Sequence, residues 1–242
     1  MLSIEKLRKR WYGIELKNYR YKLDNPYYFP YLHSDLPPIY KHIKGKFYWF
    51  PKLKRIKKMT LPITAKAKEI RKFENKFKIK FPLDFYFLMN IPNWEKIIQF
   101  NSPTGCYIPN VIDLKSFHEG HIFTIYNDQQ DTFFWYLYFE SNSNKSYVLC
   151  SRLQLSELLK KDKDDLFQHL YMVEKKFEAF IYRTHIENML WYALNREKKQ
   201  EEYFFQKSKN MWYKQMSEYL DFYDREKWGK YFFKISASFL NL

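Results

Sequence analysis

His118-Glu119-Gly120-His121 is the one local group of metal-ligand type in the chain. A zincin helix needs histidines at i and i+4, so that both imidazoles reach one ion from one face. Here they stand three apart, Gly120 disfavours a helix, and the further ligands a metal requires do not lie nearby. The run reads as a turn entering a strand. Asp162, Asp164 and Asp165 lack the spacing of a calcium loop and stand among lysines, so they read as a solvated helix start. Asp128 and Asp131 flank a hairpin turn, where Asp is favoured because its carboxylate bonds the nearby backbone. Five glycines leave no room for a Gly-rich phosphate loop. No nucleophile elbow and no Cys–His signature occurs. The expectation is a non-enzymatic protein with no metal and no cofactor.

Charge is the stronger signal. The net charge of +15 is uneven: residues 1–80 hold 22 Lys+Arg against 6 Asp+Glu, whereas residues 81–242 are close to balance. Segment 41–80 alone has 15 basic and 2 acidic residues. A localised basic face attracts nucleic acid, acidic proteins or anionic lipid. Its densest part carries Lys52, Lys54, Arg55, Lys57 and Lys58, the candidate polyanion-binding residues. They follow Phe47-Tyr48-Trp49-Phe50, and aromatics beside lysines suit single-stranded nucleic acid, where bases stack and lysines meet phosphates. A lysine-rich solvated surface would look the same. Aromatics make up 21% of the chain. Most of them should fill a core, and their abundance with Lys, Asn and Ile fits the codon bias of an AT-rich bacterial or large-DNA-virus genome.

The elements that must position these groups follow from periodicity. In 65–90, Ile70, Phe73 and Phe77 form one apolar stripe of a helix, with Lys and Glu on its other faces. Phe81-Pro82 breaks it. A second helix then carries Asp84, Phe85, Leu88 and Met89, with Pro at its first turn and Asp84 near its positive end. Ile122–Tyr126 and Thr132–Phe139 read as antiparallel strands around NDQQD, and Tyr147–Cys150 as the next strand. A strand is also expected near Lys96–Phe100, then a turn at 101–105. Residues 3–10 could open a short helix capped by Ser3, with Ile4 and Leu7 inward. Pro26, Pro30, Pro37 and Pro38 make 19–40 an extended arm whose aromatics clamp the body. Lys46–Phe50 has strand composition. A long helix capped by Asp164 is expected to carry Leu166, Leu170, Val173, Phe177, Phe180 and Ile181. Residues 196–224 read as helical and the tail as strand-like. The fold class is α+β: an antiparallel sheet packed by helices, with a basic N-terminal arm (1–60), a central domain (61–195) and a helical C-terminal extension (196–242).

Phe81, Pro82, Asp84 and Phe85, the Gln129-Gln130 turn followed by Trp135, and the helix start Leu155-Ser156-Glu157-Leu158-Leu159 together resemble the SUKH superfamily. That superfamily includes yeast cell-wall regulators and bacterial toxin-immunity proteins. Asn90 stands at the family's Asn-Gly loop without the Gly. The resemblance covers roughly 65–185. It implies a protein-binding module whose surface is the open sheet face and its hairpin, with Asp128, Gln129, Gln130 and Trp135 as candidate contacts. Trp135 could equally be a packing residue on its strand.

The first functional reading is therefore an immunity or effector-countering protein of a bacterium or large DNA virus. The basic first third asks for a partner with an acidic surface. The alternative is a nucleic-acid-binding or packaging protein using the 41–80 face. No apolar run is long enough to span a bilayer, and the first residues lack the apolar core of a signal peptide. With Cys106 and Cys150 both among apolar neighbours, a cytoplasmic location is expected, in a host cell or virion if the source is viral, with no membrane partner.

Overall fold

The computed structural model describes residues 4–14, 28–39, 43, 47, 49, 65–89, 112–128, 131–140, 143, 145–195 and 218–219. Five strands form one antiparallel sheet in chain order: β3 (Lys115–Phe117), β4 (Gly120–Asn127), β5 (Phe134–Glu140), β6 (Ser146–Ser151) and β7 (Tyr171–Glu174). β1 (Arg10–Ile14) and β2 (Tyr28–Leu32) make a separate antiparallel ribbon. Pro30 lies in β2, which has no second partner strand among the described residues and so tolerates the missing N–H. The helices are α1 (Ala65–Phe77), α2 (Leu83–Met89), α3 (Leu155–Leu158), α4 (Lys163–His169) and α5 (Phe177–Asn195).

The α+β architecture read from the sequence is present, but the sheet has no open face. Phe134 to Phe139 are all buried along β5. Side chains alternate across a strand, and both sides here are apolar. Phe123, Trp135, Leu137, Phe139, Val148 and Val173 meet α1, α2 and α5. Ile122, Phe134, Tyr136, Tyr138, Leu149 and Met172 meet α3, α4 and the turn at Ile4–Lys6. The sheet is thus the middle of three layers. The expectation of an open sheet face for a partner does not hold over β4, β5 and β6, because the crossover through α3 and α4 between β6 and β7 covers the side that a plain meander would expose.

Local chemistry fixes the hairpins. β3 and β4 are joined by His118-Glu119, with His118 in the left-handed region at φ 50. A Cβ on Gly120 would sit 2.0 Å from the Phe139 carbonyl oxygen, so the close approach of β4 to β5 needs a glycine. Between β4 and β5 the Asp128 carboxylate accepts from the Thr132 and Phe133 N–H groups, at 2.7 and 3.1 Å, and from the Thr132 hydroxyl. The turn role expected for Asp128 is what the carboxylate performs, and the residue is buried.

Other expectations are revised. The long helix capped by Asp164 is three elements. Asp162 is the cap, its carboxylate accepting from the Asp165 N–H. α4 stops where Leu170 turns extended, β7 pairs with β6, and α5 starts afresh at Phe177. The spacing of Leu166, Leu170, Val173 and Phe177 fits a helical stripe, yet Leu170 and Val173 face opposite sides of the sheet. The helix expected over 3–10 is one turn, Ile4–Lys6, followed by β1; Ile4 and Leu7 do point inward. Phe47 and Trp49 lie in turns rather than a strand, with Phe47 at φ 54. The expectations for 96–105, for the helix over 196–224 apart from residues 218–219, and for the strand-like tail lie outside the described residues.

Candidate functional site

α1 is amphipathic. Ile70 is fully buried and Phe73 and Phe77 are half-buried against the core, while Lys68, Arg71, Lys72 and Lys76 are exposed. At 3.6 residues per turn, 68, 71, 72 and 76 fall on the side opposite Ile70 and Phe77. Lys78 and Lys80 prolong the exposed basic row into the connection to α2. Among the described residues none of these six cations is ion-paired. Glu74, in the last turn of α1, is committed elsewhere: its carboxylate accepts from the Phe81 N–H at 3.0 Å.

The helix end is shaped to make this row continue. Lys78 takes φ 53, and the Ile79 N–H returns to the Glu74 carbonyl at 3.3 Å. That is the six-to-one bond of a Schellman stop, with Lys where Gly is usual. The chain then enters α2 through Phe81 and Pro82. Phe81 packs on Phe85, Phe123 and Phe139, with ring centroids 5.4, 5.7 and 4.7 Å away. Phe85 meets Phe177 at 5.0 Å. Asp84 bonds its own helix start through the Phe85 N–H at 2.8 Å, and its other oxygen accepts the Glu178 N–H at 2.7 Å. One carboxylate therefore caps α5 from α2, and burial raises its pKa against the pull of these bonds. Glu178 in turn accepts from the Phe47 N–H and the Trp49 indole N–H, at 2.8 and 3.0 Å. The four motif residues are thus a scaffold that holds the α1–α2 pair on the sheet and on α5.

The candidate contacts of the β4–β5 hairpin divide. Trp135 is buried against Tyr126, Phe133 and Phe180, so it is the packing residue and does not stand as an exposed anchor. Asp128 spends its carboxylate inside the turn. Gln129 and Gln130 lie outside the described residues, as do Lys52, Lys54, Arg55, Lys57 and Lys58 and the thiol of Cys106. Cys150 is buried, which pushes its thiol pKa well up.

His118 and Glu119 are exposed in their turn, and the His121 ring lies against Phe77 at 5.1 Å. Burial lowers the pKa of both histidines. Among the described residues no group of three or more His, Cys, Asp or Glu gathers at metal-binding distance.

A buried polar cluster was not foreseen. Arg183 lies in the core, donating through Nε to Glu174 Oε1 at 2.6 Å and through Nη1 to the Pro37 carbonyl at 3.0 Å and to the Tyr219 hydroxyl. His33 Nε2 reaches the same Glu174 oxygen at 3.0 Å. The signal was available: Glu178, Arg183 and Glu187 interrupt an apolar helix on all its sides, and a charge inside such a helix needs a partner. Which partner it finds is set by pairings across 146 residues, invisible to local reading.

No family model, no curated protein and no solved structure matches the chain. No helix among the described residues is long and apolar enough to cross a membrane.

Proposed function

We propose that this chain is a non-enzymatic protein-binding module of SUKH type, acting as an immunity or effector-countering protein of a bacterium or large DNA virus. Its partner is a protein with an acidic surface. The observation that carries this reading is the row of exposed cations on α1 and its connection to α2, none of them ion-paired among the described residues, held on a three-layer frame by Phe81, Asp84 and Phe85. A charged face on a packed scaffold recognises a complementary surface and steers its approach. Affinity capture from native lysate, with and without nuclease, tests it. A discrete protein retained after nuclease treatment is expected; loss of every retained protein on nuclease treatment would refute the reading.

The same row favours a second reading, a nucleic-acid-binding or packaging protein using residues 41–80. Its affinity would fall steeply with salt, since phosphate contacts release counterions. Charge reversal at Lys54, Arg55, Lys57 and Lys58 would abolish it. Unchanged nucleic-acid binding by that variant would remove this alternative.

A further inference from the structure

Among the described residues the most exposed large apolar side chain is Leu83, at 82% exposure. It opens α2 between Pro82 and Asp84, three residues after the exposed Lys80. Tyr86 follows at i+3, on the same side of the helix, half-buried. The Arg71 guanidinium of α1 lies 5.6 Å from the centre of the Tyr86 ring. An aliphatic side chain, a tyrosine and an arginine therefore adjoin the basic row of Lys68, Lys72 and Lys80. Phosphates are met by cations, and single-stranded bases by aromatic faces, so an aliphatic Leu83 is not what a lysine-rich surface needs to hold a single strand. Protein interfaces, by contrast, centre on an apolar or aromatic anchor with Arg enriched and charges around the rim.

Resting on the protein-binding reading, we infer that the outer side of the α1–α2 pair docks an acidic protein segment bearing an apolar side chain that covers Leu83 and Tyr86. The carboxylates of that segment meet Lys68, Arg71, Lys72 and Lys80.

Fluorescence anisotropy of the full-length chain tests this with three probes: an oligo-glutamate peptide, a peptide of equal charge with Leu and Phe interspersed, and an oligothymidylate. The mixed peptide should bind about tenfold tighter than oligo-glutamate, the increment that covering one leucine gives. Leu83→Ser, at an exposed position that leaves the core untouched, should erase that increment and keep the oligo-glutamate affinity. Charge reversal at Lys68, Arg71 and Lys72 should weaken both peptides. Equal affinity for the two peptides, no binding of either, or an increment that survives Leu83→Ser overturns the docking surface. If that happens while a nuclease-resistant protein is still captured by the chain, only the location falls. If no protein is captured and oligothymidylate binds tightest, the protein-binding reading falls with it.

Discussion

His185 shows how far burial governs single residues here. It sits in the core against Trp49, ring centroids 5.7 Å apart, and burial lowers its pKa from 6.5 to about 3. The folded state holds the ring neutral, whereas the unfolded chain protonates it below pH 6.5. Stability from this residue is present above that pH and is lost as pH falls towards about 3. Urea midpoints measured across that range should fall more steeply for the wild type than for His185→Gln; equal slopes would refute the assignment. Trp135 and Asp128 make a similar point about legibility. Both were readable as packing and turn residues from their places in the hairpin, and those are their roles. Asp84 was readable only as a charge at a helix start. Its bond to the Glu178 N–H crosses 94 residues, and no local pattern announces it.

The elements were most legible where one period excluded the other. α1, α2 and the β4–β5 hairpin lie where the sequence placed them: the helices because of their apolar stripe and the Phe81-Pro82 break, and β5, apolar on both sides, because its aromatic run is bounded by the NDQQD turn. Between Leu166 and Phe177 both periods fit, and the extended backbone at Leu170 decides for a strand. Over α5 the helix through Phe177, Phe180 and Ile181 was legible and only its fresh start at Phe177 was not; it is buried on every side from Phe177 to Glu187. The end of α1 supports a direct check. Lys78 occupies a left-handed position at φ 53, which costs an L-residue about 1 kcal/mol relative to glycine. Lys78→Gly should raise stability by about that amount in urea titration. A lower midpoint would mean that the exposed Lys78 side chain has a stabilising contact outweighing the backbone gain.

At the scale of the whole molecule, charge is arranged by depth. Lys68, Arg71, Lys72 and Lys76 of α1 face solvent, while Arg183 and Glu174 are paired in the interior at 1% exposure each. Removing one member of a buried pair strands the other, at about 3–5 kcal/mol, whereas replacing both by apolar residues can be nearly neutral. Arg183→Met and Glu174→Met should each lower the urea midpoint strongly, and the double variant should be more stable than Arg183→Met alone. A double variant as unstable as the sum of the singles would show that the two act independently. Arg183 also donates to the Pro37 carbonyl and the Tyr219 hydroxyl, so one buried guanidinium ties together stretches of chain 182 residues apart. A chain cut before Tyr219 deprives that cation of an acceptor, and C-terminal truncation is therefore expected to weaken the core itself and not only the segment removed.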